Sequence, residues 1–402
     1  MVGLQTISVG YKMNGLKKFL NVIIIILGIV FIGVCVDMVG NKTIHTSYES
    51  LSELDQNAVG DVCEVISLFD SKKGNKEIWD IKYNLRDIGC VITNDEDTFG
   101  RSYIFNVDMS GDVTAQKIEM PDNYSDISVY RLADVSPKAI SLNLYSKDKG
   151  YVTINNKDIL TIKYTENSSN LNGAGSLKES YVKNTFSDTV ASPDSPTADV
   201  TVSFDMNVDN IALLGLQYRI IDDMKTAKTK NDIKQLIAEY VIVRDEQEKK
   251  YPEFAEQQQR IELVDGRTQY VFYRISDLTG DDMTYFNKEK SEAINFYSAY
   301  HYLCTGKYND DVSDFLNYKG NVYVGAVLCE ILDNNKIAAD WEIKLDNSSN
   351  ENFRSQYTLI KDYCKKNCGE YTKEKTLDDI KREYNYEEIT EMARALVKGN
   401  AE

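Results

Sequence analysis

From Phe19 to Val36 the chain holds one polar side chain, Asn21, and no charge across 18 residues. A helix of that length spans about 27 Å, close to the thickness of bilayer hydrocarbon. Beyond it the hydrophobic pattern changes. Over 46–70, Leu51, Leu54, Ala58, Val62, Val65, Ile66 and Phe69 recur at three- and four-residue steps. That spacing predicts an amphipathic helix, capped near Thr46 or Ser47, that continues the membrane segment outward as a stalk.

From Glu77 to Glu166 the period shortens towards two. Strands are predicted at 78–83, 89–93, 103–109, 113–118, 127–132, 140–145, 151–154 and 159–164. Ser110-Gly111-Asp112, Lys147-Asp148-Lys149-Gly150 and Asn155-Asn156-Lys157-Asp158 punctuate them as turns. Consecutive strands with short turns imply an antiparallel sheet, with the stalk helix available to cover one face. Residues 167–198 are rich in Ser, Asn, Gly and Thr and include Pro193 and Pro196, so they read as a linker or disordered loop.

Val200, Val202, Phe204 and Met206 alternate as one more strand, and 208–224 and 230–259 are helical, with Pro252 breaking the second. Asp265-Gly266, between 260–264 and 268–275, is the best hairpin signal in the chain. A helix over 283–305 aligns Ala293, Phe296, Tyr297, Tyr300 and Cys304 on one face. Residues 322–332 are ambiguous between helix and strand. Phe353, Tyr357, Ile360, Cys364 and Cys368 share a face of the next helix, and Thr376 caps the last.

The fold class is therefore α+β: one N-terminal transmembrane helix, a stalk helix with an antiparallel β-rich domain, and a mainly helical α+β C-terminal domain. The divisions fall at 1–18 for a short tail, 19–39 for the anchor, 46–166, a linker at 167–198, and 199–402.

Charge adds an orientation. Through residue 42 there are four lysines and one acid, with Lys12, Lys17 and Lys18 ahead of the apolar run; beyond it stand 42 cations against 62 anions. The positive-inside rule puts the N-terminus in the cytosol and the acidic body outside. That body repels phosphate backbones, so nucleic acid is not an expected partner. The apolar run is too long for a signal-peptide core, and Gly33-Val34-Cys35 is a poor cleavage site, which favours a retained anchor.

Cys35 lies in the anchor. The other six, Cys63, Cys90, Cys304, Cys329, Cys364 and Cys368, are disulfide candidates if the body is exported. Cys63 would pair with Cys90, a closure worth roughly 3.5 kcal/mol in the chain-entropy model. Cys364 and Cys368, four apart on one helical face, are poorly placed to bond each other and would reach to Cys304 and Cys329. Buried free thiols are the plain alternative. A metal site built from His301, Cys304, Cys329, Cys364 and Cys368 has enough soft ligands for zinc but no recognised spacing.

Catalytic signatures are weak. His301 has no nucleophile elbow to serve, His45 sits beside the anchor, and Ser146-Lys147-Asp148-Lys149 matches Ser-x-x-Lys only within a predicted turn. Asp95, Asp97 and Gly100 imitate the front of a calcium loop whose twelfth position is Asn106, and Asp277, Asp281 and Asp282 surround Gly280 in a second acidic loop. No Walker loop, dinucleotide fingerprint or HExxH motif is present, and no cofactor is implied. The reading is a single-pass cell-envelope protein that works as a non-catalytic binding or assembly module, held in the membrane from Phe19 to Val36 and meeting a protein partner at the cell surface. The alternatives are a ligand-sensing ectodomain that signals through a membrane partner and an envelope hydrolase or transferase.

Overall fold

The described chain opens on one long helix, α1 (Gln5–Thr43), which contains the apolar run and extends back through most of the expected tail. The computed structural model describes residues 5–43, 46–69, 78–79, 83–96, 101–133, 149–169, 176–190, 207–279, 295–306 and 312–399. The architecture is mixed α+β with one six-stranded sheet. The chain divides into a sheet unit (Met1–Ser71, Asn84–Leu171, Gly175–Thr185) and a helical unit (Lys72–Tyr83, Asn172–Ala174, Phe186–Glu402).

In the sheet unit α1 does not run on as a stalk. The next helix, α2 (Glu53–Leu68), starts only after Ser52 caps it by accepting from Asp55 N–H. Between the two helices the backbone turns and pairs with the sheet: Tyr48 N–H donates to Glu119 O at 2.9 Å, and Glu119 N–H to Thr46 O at 3.0 Å. Backbone pairing of 46–48 replaces the helical bonds a stalk would need, and α2 buries Ala58, Val59, Val62, Cys63, Val65 and Ile66.

Six of the expected strands form: β1 (Cys90–Asn94), β2 (Ser102–Phe105), β3 (Ala115–Lys117), β4 (Val129–Leu132), β5 (Lys149–Ile154) and β6 (Lys157–Tyr164). Their order is β3-β4-β2-β1-β6-β5. The sheet is not wholly antiparallel, because β1 and β6 pair in parallel, Cys90 opposite Leu160 and Asn94 opposite Tyr164. β6 returns from the edge strand β5 through Asn155 and Asn156, both at positive φ (51° and 60°), as a tight hairpin requires. That reversal sends β6 along β1 in the same direction. One sheet face gathers Val91, Ile104, Tyr130, Leu132, Ile154 and Ile159 into a buried cluster.

The expected strand at 78–83 does not form at its described start: Ile78 and Trp79 are fully buried outside any strand, in the helical unit. Within the stretch read as a linker, α3 (Leu177–Val190) is helical and buries Leu177, Tyr181, Val182 and Phe186. Four apolar residues at helical spacing were hidden there by a polar average. The expected strands at 140–145 and 200–206 lie outside the described residues.

The helical unit continues with α4 (Val208–Thr226), α5 (Lys230–Lys250), α6 (Pro252–Ile261), α7 (Arg267–Thr279), α8 (Phe296–Cys304), α9 (Gly320–Asn334), α10 (Trp341–Asp346), α11 (Gln356–Asn367), α12 (Leu377–Glu383) and α13 (Tyr386–Gly399). Pro252 breaks the helix as expected, with Tyr251 as the joint. The helix expected over 283–305 is described only from Asn295, whose side chain caps α8. Thr376 caps α12, but Asn385 at φ 51° then divides the last helix in two.

The hairpin expected at Asp265-Gly266 is absent. Glu262–Gly266 is a π-helical turn that joins α6 to α7 without reversing the chain. Gly266 serves a helix crossing: a Cβ on it would lie 2.7 Å from Gly325 Cα in α9. The ambiguous segment at 322–332 is α9, buried nearly all round. α4 is the other central helix, packed by α5, α8 and α13.

Candidate functional site

Among the described residues the most exposed apolar surface lies on α1. Its span Lys17–Val36 is long and apolar enough to cross a membrane and has none of its length buried within the protein. Thirteen large apolar side chains between Phe19 and Val36 stand exposed, Phe19 at 63% and Phe31 at 69%. Removing them from water stabilises by on the order of 20 kcal/mol or more. Elsewhere among the described residues the exposed large apolar side chains are Val39 in the same helix and Val113, Tyr151, Leu278, Tyr302 and Ile343.

The exit from this helix is fixed to the sheet unit by side chains as well as backbone. Thr46 Oγ1 donates to Gln116 Oε1 at 2.9 Å, and the Tyr48 hydroxyl donates to Gln56 O in α2 at 2.7 Å. Burial pushes the Tyr48 phenol up to about 12, so it remains a donor. Seven residues further on, Asp55 ties α2 to the strands: Tyr164 OH donates to Oδ1 at 2.7 Å and Arg101 Nη1 to Oδ2 at 3.0 Å. Burial opposes the Asp55 charge, but the bonds from Tyr164, Ser52 and Arg101 prevail and lower its pKa below the ordinary 3.8.

The helical unit holds a drier centre. Arg244 of α5 and Glu262 of the π-turn are both wholly buried and meet in a two-point bond, Nη1 to Oε1 at 2.9 Å and Nη2 to Oε2 at 3.1 Å. Arg244 also donates to Gln217 Oε1 and Tyr240 OH, each at 3.2 Å, and lies over the Tyr357 ring. A side-chain ladder continues through Gln217 to Gln247 (2.8 Å) and Gln247 to Asn210 (2.9 Å). Burial works against the Arg244 charge, yet Glu262 outweighs it and raises the guanidinium further; burial pushes Glu262 up against the pull of Arg244. A second pair lies in the same unit: Arg267 Nη1 reaches Asp346 Oδ1 at 3.0 Å, and Trp79 Nε1 donates to the same carboxylate at 3.1 and 3.2 Å. Trp341 and Phe186 pack edge-on against Trp79. Such groups fix which helices meet. The sequence reading missed them because Arg244, Glu262 and Asp346 look like surface charges in a helical pattern.

All seven cysteines are free thiols, so none of the six candidates is bonded here. Cys63 lies on α2, where burial pushes it up to about 12, and Cys90 on β1 donates to Val91 O at 3.7 Å. Cys304 ends α8 and Cys329 on α9 accepts from Gln356 Nε2 at 3.4 Å. Cys364 and Cys368 close α11. Among the described residues no three His, Cys, Asp or Glu side chains converge as a metal would need, and His301 is exposed on α8.

Asp95 is engaged by Lys163 Nζ at 2.5 Å, and Asn106, just after β2, donates its amide to Leu85 O at 3.1 Å. Asp277 is exposed near the end of α7. His45, Asp97, Gly100, Ser146, Asp281 and Asp282 lie outside the described residues. Surface hollows lined by Asp108, Asp112 and Asn155, and by Asp378, Lys381 and Tyr386, open broadly to solvent. No known protein family, curated protein or solved structure matches this chain.

Proposed function

We propose that this chain is a single-pass membrane protein with a cytosolic N-terminus, whose sheet and helical units lie outside the cell membrane and act as a non-catalytic binding or assembly module for a protein partner. The observation that carries the reading is α1: a span of membrane length with its apolar side chains exposed, whereas the large apolar residues described beyond that helix are nearly all covered. The lysines ahead of the span and the acid excess beyond it support the orientation. The pairing of Thr46 and Tyr48 with Glu119 supports a sheet unit held at the end of its anchor. The buried ion pairs support a structural rather than reactive use of the charged residues at hand, since each is held by partners inside its own unit.

The test is alkaline carbonate extraction of membranes, combined with protease added to intact cells that express the full chain. The reading requires retention in the carbonate pellet and digestion of the body from outside. Release of the full-length chain by carbonate, or protection of the body until the membrane is opened, overturns it.

A further inference from the structure

α5 opens with cations where a helix disfavours them. Thr229 and Asp232 close a capping box at its N-terminus, yet Lys228 precedes the cap, Lys230 is the first helical residue and Lys234 follows one turn on. Lys228 and Lys230 meet the positive end of the macrodipole, so helix stability does not account for them. The chain comes back to α5 after α11. The short helix Tyr371–Glu374 packs on α5, and Lys375 Nζ just beyond it donates to Glu239 Oε1 at 2.6 Å. That return brings Lys365 and Lys366, in the last turn of α11, and Lys373 to the same region. Five of these six lysines are exposed and Lys234 is half-buried. None of the six makes an ion pair among the described residues. Their neighbours differ: Lys250, Lys361 and Lys375 are each held by two carboxylates. The acids in these two stretches are Asp232, which serves the cap, Glu370 and Glu374, so six cations stand against three anions on a chain of net charge −17.

We propose that this lysine-lined part of the helical unit is the docking surface for an acidic segment of a protein partner, a short run of Asp and Glu side chains that pairs with the six lysines. The proposal rests on the binding-module reading above and gives that module the chemistry of its partner. Range decides between an acidic protein segment and a phosphate polymer. At physiological salt, charges are screened beyond about 8 Å, so a short acidic run meets the lysines and little else. A long phosphate polymer continues past them, over a body with 62 anions against 42 cations, and is repelled there. Each exposed lysine contributes little alone, so the surface acts as a set and loosens as salt rises.

The test uses the full chain in uncharged detergent micelles and a fluorescein-labelled decaglutamate peptide. Anisotropy at low salt measures binding. The same peptide, its carboxyls converted beforehand to N-hydroxysulfosuccinimide esters, marks the lysines it touches: the amine attacks the ester carbonyl, an amide forms, and the N-hydroxysulfosuccinimide anion leaves as the amine gives up a proton. Peptide mapping is expected to place most crosslinks on Lys228, Lys230, Lys234, Lys365, Lys366 and Lys373. Lys230→Glu, Lys234→Glu, Lys365→Glu and Lys366→Glu together are expected to weaken binding about tenfold or more. Crosslinks spread evenly over exposed lysines elsewhere, such as Lys249, Lys336 and Lys398, overturn the proposal, and so does binding that survives the four reversals. A single-stranded oligodeoxynucleotide of equal charge that binds the same lysines more tightly than decaglutamate makes the partner a phosphate polymer and also overturns it. The crosslink map on the parent chain stands even if the variant does not fold. Because binding is read on purified chain, failure here leaves the membrane topology untouched, and failure of the topology test leaves this surface untouched.

Discussion

The sheet unit and the helical unit bury charge in opposite ways. Asp55 is covered to 2%, but its partner Arg101 keeps 41% of its side chain in water, and hydroxyls of Tyr164 and Ser52 complete the carboxylate's surroundings. Arg244 and Glu262 are both at 0%. A half-solvated pair gives up little hydration and gains charge-assisted hydrogen bonds, so it stabilises. A dry pair gives up the hydration of both ions, and its attraction roughly restores what was lost. The difference teaches that the second cluster works chiefly by exclusion: helices that meet without joining Arg244 to Glu262 strand a buried charge. The first works by attraction, tying α2 to β6.

Breaking the dry pair has the largest expected effect. Arg244→Ala leaves Glu262 uncompensated and is expected to cost about 3–5 kcal/mol, whereas Arg244→Met with Glu262→Leu recovers most of it. Guanidinium unfolding read by hydrogen exchange in α5 and the π-turn separates this from the sheet unit. A double variant as unstable as the single one would make the pair a net stabiliser and erase the contrast. The close crossing beside the pair is the next test. Gly325→Ala places a Cβ 2.6 Å from Glu262 O, with backbone on every near side, and is expected to cost about 1–3 kcal/mol in the same assay. A neutral result would mean that the π-turn is free to shift.

The sheet unit gives an effect no larger than that of the crossing, with a pH signature. Asp55 has a folded pKa below its ordinary 3.8, so its contribution is present above that value and lost as pH falls through the folded one. Asp55→Asn is expected to cost about 2 kcal/mol at neutral pH, and the gap to the parent chain should close as the solution is acidified below 3.8. Exchange protection of α2 and β6 against pH reads it. A gap that stays constant would place the contribution in shape rather than charge.

Much of the sheet unit was legible because its signals are local. Period-two alternation marked β1 to β6, and Asn155-Asn156 supplied the positive φ values that their hairpin uses. The parallel pairing of β1 with β6 was not legible, since it joins residues about seventy apart and depends on where the edge hairpin returns. In the helical unit the same local rules misled at Asp265-Gly266. A glycine after an aspartate favours a turn, but a glycine also lets two helices approach, and only the presence of Gly325 opposite distinguishes the uses. Residues 177–190 failed for a related reason: composition averages over a window, while burial acts on Leu177, Tyr181, Val182 and Phe186 one at a time.

The sequence by itself determined the apolar span, the charge asymmetry around it, the mixed α+β class and most element positions. Those follow from transfer free energy and backbone preference, which act between near neighbours. Tertiary structure alone decided that Thr46 and Tyr48 join the sheet rather than a stalk, that Arg244 finds Glu262 and that Trp79 finds Asp346. These contacts join residues from 18 to 267 positions apart. Their partners are chosen by packing of the whole unit, and no local pattern encodes that choice.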